Sequence, residues 1–68
     1  MTKQEVSRAV FEISGNMYTL ANDDAFKENA TDATFIILQE YLRDTAFTLD
    51  KIQEVIDGQV EKELEEEK

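Results

Sequence analysis

Almost all the residues of this chain that could do chemistry are carboxylates. The 68 residues include 16 Asp and Glu, no His and no Cys, and the only serines are Ser7 and Ser14. The sequence therefore lacks the imidazole that usually activates a serine and the Cys and His ligands of a structural zinc site. Paired carboxylates hydrolyse glycosides only across a cleft, which so short a chain can hardly build. We expect no enzymatic activity, no catalytic residue and no cofactor.

A divalent cation is the other chemistry that carboxylates suggest. Oxygen-bearing side chains are frequent between Asn22 and Asp32, and Ca²⁺ and Mg²⁺ prefer such ligands. However, the spacing of a calcium-binding loop, with acids at alternate positions before a glycine, is absent. We interpret these residues as helix caps and solvated surface, and we predict no metal site.

The charge limits which partners are plausible. Seven Lys and Arg against the 16 acids give a net charge of −9. Such a chain is repelled by phosphate backbones and by anionic membranes, so we expect no direct binding to nucleic acid or membrane. No apolar run is long enough to span a bilayer, and no apolar segment follows the N-terminal residues. We expect a cytoplasmic protein, whose natural partner would be basic or a second copy of itself.

The first element that must position these groups is an N-terminal helix. Thr2 and Glu5 have the spacing of a capping box. Apolar residues then recur every three or four positions over about 3–21, which is typical of an amphipathic helix. The members of this stripe are Val6, Val10, Ile13, Met17 and Leu20. An alternative remains open, a β-hairpin over about 10–21 that turns at Ser14-Gly15-Asn16 and packs on two helices.

The rest of the chain predicts two more helices. One covers about 24–45 and is apolar on two sides, unless a cap at Thr31 or Asp32 divides it into a short and a main helix. A break at 45–48 precedes the last helix. The predicted fold class is therefore all-α, a small bundle of three helices or four segments. We expect residues 1–58 to form one domain, because Gly58 could cap the last helix, and 59–68 to be an acidic helix end or a frayed tail.

Surplus apolar side chains point to a function in protein–protein interaction. A chain this short buries only about 60% of the surface that its unfolded form exposes, and it has no disulfide, so self-association is a natural means of stabilisation. We predict a homodimer whose contact is apolar and whose acidic surface keeps it soluble. The candidate interface residues are Phe11, Tyr18, Phe26, Ile37 and Tyr41.

The alternative function is that of an acidic inhibitor or nucleic-acid mimic. Such a protein presents carboxylates at the positions where a basic, nucleic-acid-binding protein binds the phosphates of its nucleic acid. The acids concentrate in 22–68, but their spacing matches no ladder of phosphates. The candidate residues of this acidic surface are Asp50, Glu54, Asp57 and Glu61.

Overall fold

Two long helices joined by a short one account for most of the chain in a computed structural model, which describes residues 1–66. Helix α1 spans Lys3–Ala21, α2 spans Asp24–Glu28 and α3 spans Ala33–Glu66. Within these residues there is no strand. The all-α prediction is confirmed, and the β-hairpin over 10–21 is wrong.

The N-terminal capping box explains why helix prevails over hairpin in α1. The Thr2 hydroxyl accepts a hydrogen bond from the Glu5 backbone N–H, and the Glu5 carboxylate accepts one from the Thr2 N–H. These two bonds satisfy donors that the first turn leaves free and so start the helix at the predicted residue. The helix then runs through Gly15, where an added Cβ would meet open space.

The predicted break at 45–48 does not occur. Helix α3 passes through it, with Ala46 fully buried and the Thr48 hydroxyl donating to the Asp44 carbonyl inside the helix. No Pro or Gly interrupts this stretch, so its helix propensity permits α3 to continue, and Ala46 is buried within the continuous helix. The chain therefore does not form a bundle of three comparable helices.

The division of the chain before α3 follows the alternative prediction. Asp23 caps α2 by accepting from the Ala25 N–H at 2.9 Å, and Asp32 accepts from the Thr34 N–H at 2.9 Å as α3 begins. At the other end, α3 also passes through Gly58 and is helical to Glu66. The last two residues of the predicted tail 59–68 lie outside the described residues.

Helices α1 and α3 form an antiparallel hairpin. Lys3 pairs with Glu63 at one end, and the Gln39 amide donates to the Ala21 carbonyl at the other. The molecule is a rod of 56 × 15 × 14 Å with a radius of gyration of 16.0 Å, whereas a compact domain of this length has about 11 Å. The main core sits at the turn, where Met17 and Phe35 pack against a buried cluster of Ala21, Phe26 and Leu42.

Candidate protein interface

Small side chains line the seam between α1 and α3. Ser7, Ser14 and Ala21 recur at intervals of seven and are all buried. Half-buried Val10 and Met17 alternate with them, which is the three-and-four spacing of a coiled-coil seam. On α3 the buried residues are Leu42 and Ala46, followed by half-buried residues at the same spacing toward the C-terminus. Small seam residues let two helix backbones approach closely.

Two hydroxyl–carboxylate hydrogen bonds fix the alignment of this seam. Ser7 donates to Asp57, and Ser14 donates to Asp50, seven residues away on each helix. The two serines are 5% and 2% exposed, so each buried hydroxyl has its partner. A shift of either helix by one turn would break both bonds, and the pairs therefore specify the register of the hairpin.

Tyr18 lies on the same flank of the seam as Asp50. Partial burial raises the pKa of the Tyr18 phenol, and the negative charge of Asp50 and a hydrogen bond to it raise that pKa further. The phenol therefore stays protonated as a donor toward the carboxylate. Arg43 reaches within 3.5 Å of the Asn22 side chain on this flank as well.

The predicted α1 stripe is divided by the seam: Val10 and Met17 lie in it, while the other three members lie beside it and are exposed. Val6 is 37% exposed, Ile13 49% and Leu20 52%. Each of them precedes one of the small seam residues by one position, and one helical residue corresponds to about 100° of rotation. The stripe therefore lies partly beside the seam, because the two serines, which an apolar pattern counts as polar, are buried by bonding to α3.

The five candidate interface residues do not form one surface. Phe26 is buried in the core, its ring edge-on to Phe35 with centroids 5.7 Å apart. Phe11 and Tyr18, seven residues apart, share the flank that bears Asp50. Helical register places Tyr41 on the opposite flank and Ile37 on the outer side of α3; both are largely exposed.

A different apolar set does share one flank of the hairpin. In an antiparallel pair of helices, the positions preceding each seam residue lie together on one edge, away from the Ser–Asp bonds. All seven large hydrophobic side chains on this edge are exposed. We call it the neutral face, and its members are Val6, Ile13, Leu20, Leu38, Tyr41, Thr45, Thr48, Ile52 and Val55. Of these residues only Tyr41 was among the predicted interface residues. The recurrence of Ser7, Ser14 and Ala21 at intervals of seven marks the seam, and the residues that precede them mark the neutral face on α1.

The four candidate acidic residues follow the other flank. Asp50 and Asp57 border the seam at their serine partners, and Glu54 and Glu61 lie on α3 beside them. Asp50 is half-buried, while the other three are exposed. The hairpin therefore has an acidic flank and an apolar, uncharged one.

The oxygen-rich stretch from Asn22 to Asp32 is used by the backbone. Asp23 and Asp32 are caps, and the Asn29 amide donates to the Ala25 carbonyl at 2.8 Å. Over residues 1–66 no three acidic side chains come together as a metal-binding group. An open concavity beside the start of α1 is lined by seven residues between Met1 and Glu12 and has no wall from another helix.

Comparison of the chain with protein-family models, with curated proteins and with solved structures finds no match. Across the part of the chain that the structure describes, no helix is sufficiently long and apolar to cross a membrane.

Proposed function

We propose that this protein is a non-enzymatic protein-interaction domain that self-associates as a homodimer. The observation that carries the proposal is that many more hydrophobic side chains are exposed than are buried. Among the described residues, 13 large hydrophobic side chains are exposed, and the buried hydrophobic residues are four, two of them alanines. A helix pair with so much apolar surface in water is typical of a protein that another chain covers.

The energetics support association. Burying one Ile, Leu or Phe completely stabilises a protein by about 1.5–3 kcal/mol. A domain of this length has a total stability of about 3–10 kcal/mol. Ile13 and Ile52 are each roughly half exposed. Burying the exposed parts of such side chains against a second copy would therefore add a sizeable fraction to the stability of the folded protein.

The placement of the hydroxyl groups supports a binding role over a catalytic one. Ser7 and Ser14, the only serines, are buried in the seam and donate to carboxylates. A nucleophilic hydroxyl has to reach its substrate and to give up its proton to a base. Both serines instead hold the two helices together.

Thermal denaturation over a range of protein concentrations tests the proposal. A homodimer that unfolds to separate chains is stabilised by mass action. With the unfolding entropy expected for two chains of this length, Tm should rise by about 5 °C for each tenfold increase in concentration. A Tm that is independent of concentration would overturn the proposal, and the far-ultraviolet circular dichroism of the same sample reports whether the chain is helical.

A second candidate function rests on the acidic flank. The four carboxylates from Asp50 to Glu61 follow one side of α3 over a length of about 16 Å. Their alignment supports an inhibitor that occupies the nucleic-acid site of a basic protein. The test is salt-sensitive binding to such a protein that Glu54→Lys with Glu61→Lys abolishes. Asp50 and Asp57 are left unchanged, because they hold the seam through Ser14 and Ser7; full binding by the double variant would exclude this function.

A further inference from the structure

The neutral face is free of charge in a protein that carries many charges. On this flank the register positions of α1 are Thr2, Val6, Ala9, Ile13, Asn16 and Leu20, and those of α3 from 34 to 59 are likewise uncharged. The opposite flank holds Asp50, Glu54, Asp57 and Glu61. Because the net charge is −9, the acidic side chains of two copies repel each other wherever acidic surfaces meet. A surface without acids avoids this repulsion. The neutral face is the flank on which a second copy meets least repulsion.

We infer that the second copy docks on the neutral face with its α3 antiparallel to the first α3, around a two-fold axis close to Thr48. The product is a four-helix bundle made of two hairpins. This inference rests on the proposed homodimer and specifies its surface and its geometry.

The α3 sequence is complementary to itself about Thr48. In an antiparallel pair centred there, Thr48 meets its own copy, and each Tyr41 meets the partner's Val55. Thr45 lies opposite the partner's Ile52, and Leu38 lies near the partner's Gln59. Large side chains thus face smaller ones along the contact, and small threonines occupy the centre, where the two backbones must approach most closely. All of these residues except half-buried Thr45 are exposed in the single hairpin.

Charge favours the antiparallel arrangement over one in which both hairpins point the same way. The C-terminal end of α3 carries Glu61, Glu63, Glu65 and Glu66 against Lys62. A parallel dimer would bring these two acidic ends together, at a distance where like charges repel. The antiparallel dimer places each acidic end beside the start of the other α3. It also sets the two helix dipoles of α3 in opposition.

The surface area of the hairpin fits this partner. Its accessible surface is 5414 Å², whereas a compact monomer of 7.8 kDa has about 4,400 Å². The excess of about 1,000 Å² is comparable to the roughly 800 Å² that each partner contributes to a stable interface. One further copy on one flank is therefore enough to bring the exposed surface to the usual range.

Single cysteines test the geometry, because the natural chain contains none. The variants are Thr48→Cys at the proposed axis and Glu54→Cys on the acidic flank as the matched control, both at exposed sites on α3. Under mild oxidation we expect Thr48→Cys to form a disulfide-linked dimer at least tenfold faster than Glu54→Cys. Tyr41→Cys should not cross-link with itself, since its two copies would lie about 20 Å apart, but it should cross-link with Val55→Cys when the two proteins are mixed.

Each outcome has a defined meaning. Faster linkage of Thr48→Cys together with the mixed Tyr41→Cys and Val55→Cys product supports the inference. Equal or faster linkage of Glu54→Cys, or rapid self-linkage of Tyr41→Cys, overturns it and leaves a homodimer of another geometry if Tm still depends on concentration. Failure of every variant to cross-link, in samples that circular dichroism shows to be helical and whose Tm is independent of concentration, overturns both the inference and the proposed homodimer.

Discussion

Removing the Ser14 hydroxyl should lower the stability of the hairpin by a measurable amount, because this hydroxyl forms a hydrogen bond between α1 and α3. Ser14 is 2% exposed and donates to the Asp50 carboxylate across the seam. A hydrogen bond to a charged group contributes about 1.5–3 kcal/mol to stability. Alanine recovers roughly 0.5 kcal/mol through its better helix propensity. Ser14→Ala should therefore lower the free energy of unfolding by about 1–2.5 kcal/mol.

Urea denaturation followed by circular dichroism measures this loss. With a slope of about 1 kcal/mol/M for so small a protein, the midpoint should fall by roughly 1–2.5 M at a fixed protein concentration. Glu12→Ala is the matched control, because Glu12 is exposed on the same helix, and its midpoint should change little. In a double-mutant cycle, Asp50→Ala should remove most of the effect of Ser14→Ala. A neutral or stabilising Ser14→Ala would refute the assignment of register to the Ser–Asp pairs.

Three further changes test other parts of the structure. Ala46→Leu should lower the free energy of unfolding by about 1–3 kcal/mol, because Ala46 is fully buried and a larger side chain has no room there. An unchanged urea midpoint would show that the helices are not closely packed at this position. Gly58→Ala should stabilise by about 1 kcal/mol, since α3 is helical there and an added Cβ meets nothing within 4 Å; a loss of stability in the same assay would contradict a continuous α3. The folded-state pKa of Tyr18 is raised above 10.0, so its contribution to stability is complete below about pH 10 and is lost as pH rises through the folded-state value. In a Tyr41→Phe background, Asp50→Ala should lower the pKa of Tyr18 in an absorbance titration of the phenolate; no change would remove Asp50 as a cause.

The sequence predicted the parts of the fold that depend on local chemistry. The capping box at Thr2 and Glu5 located the start of α1 correctly, and Asp32 was one of two caps considered for α3. Such signals are readable because a cap and the N–H groups that it satisfies lie within a few residues.

The parts that the sequence did not predict depend on contacts across the hairpin. Ser7 and Ser14 look like surface residues until Asp57 and Asp50 are seen opposite them, so the apolar pattern assigned the buried face to their neighbours. The continuity of α3 through 45–48 was likewise missed, because the burial of Ala46 becomes visible only in the folded hairpin. For the candidate interface, the aromatic residues do not define one surface, because Phe26 fills the core while Phe11 and Tyr41 lie on opposite flanks. The shared flank became visible only after the seam was known.

The mass of the unmodified chain in solution is the most direct test of the claim that its apolar surface needs a second copy. Light scattering over a concentration series should give twice 7.8 kDa at micromolar concentrations, with dissociation only on strong dilution. A mass of 7.8 kDa that persists to millimolar concentration, in a sample with full helical circular dichroism, would contradict the claim.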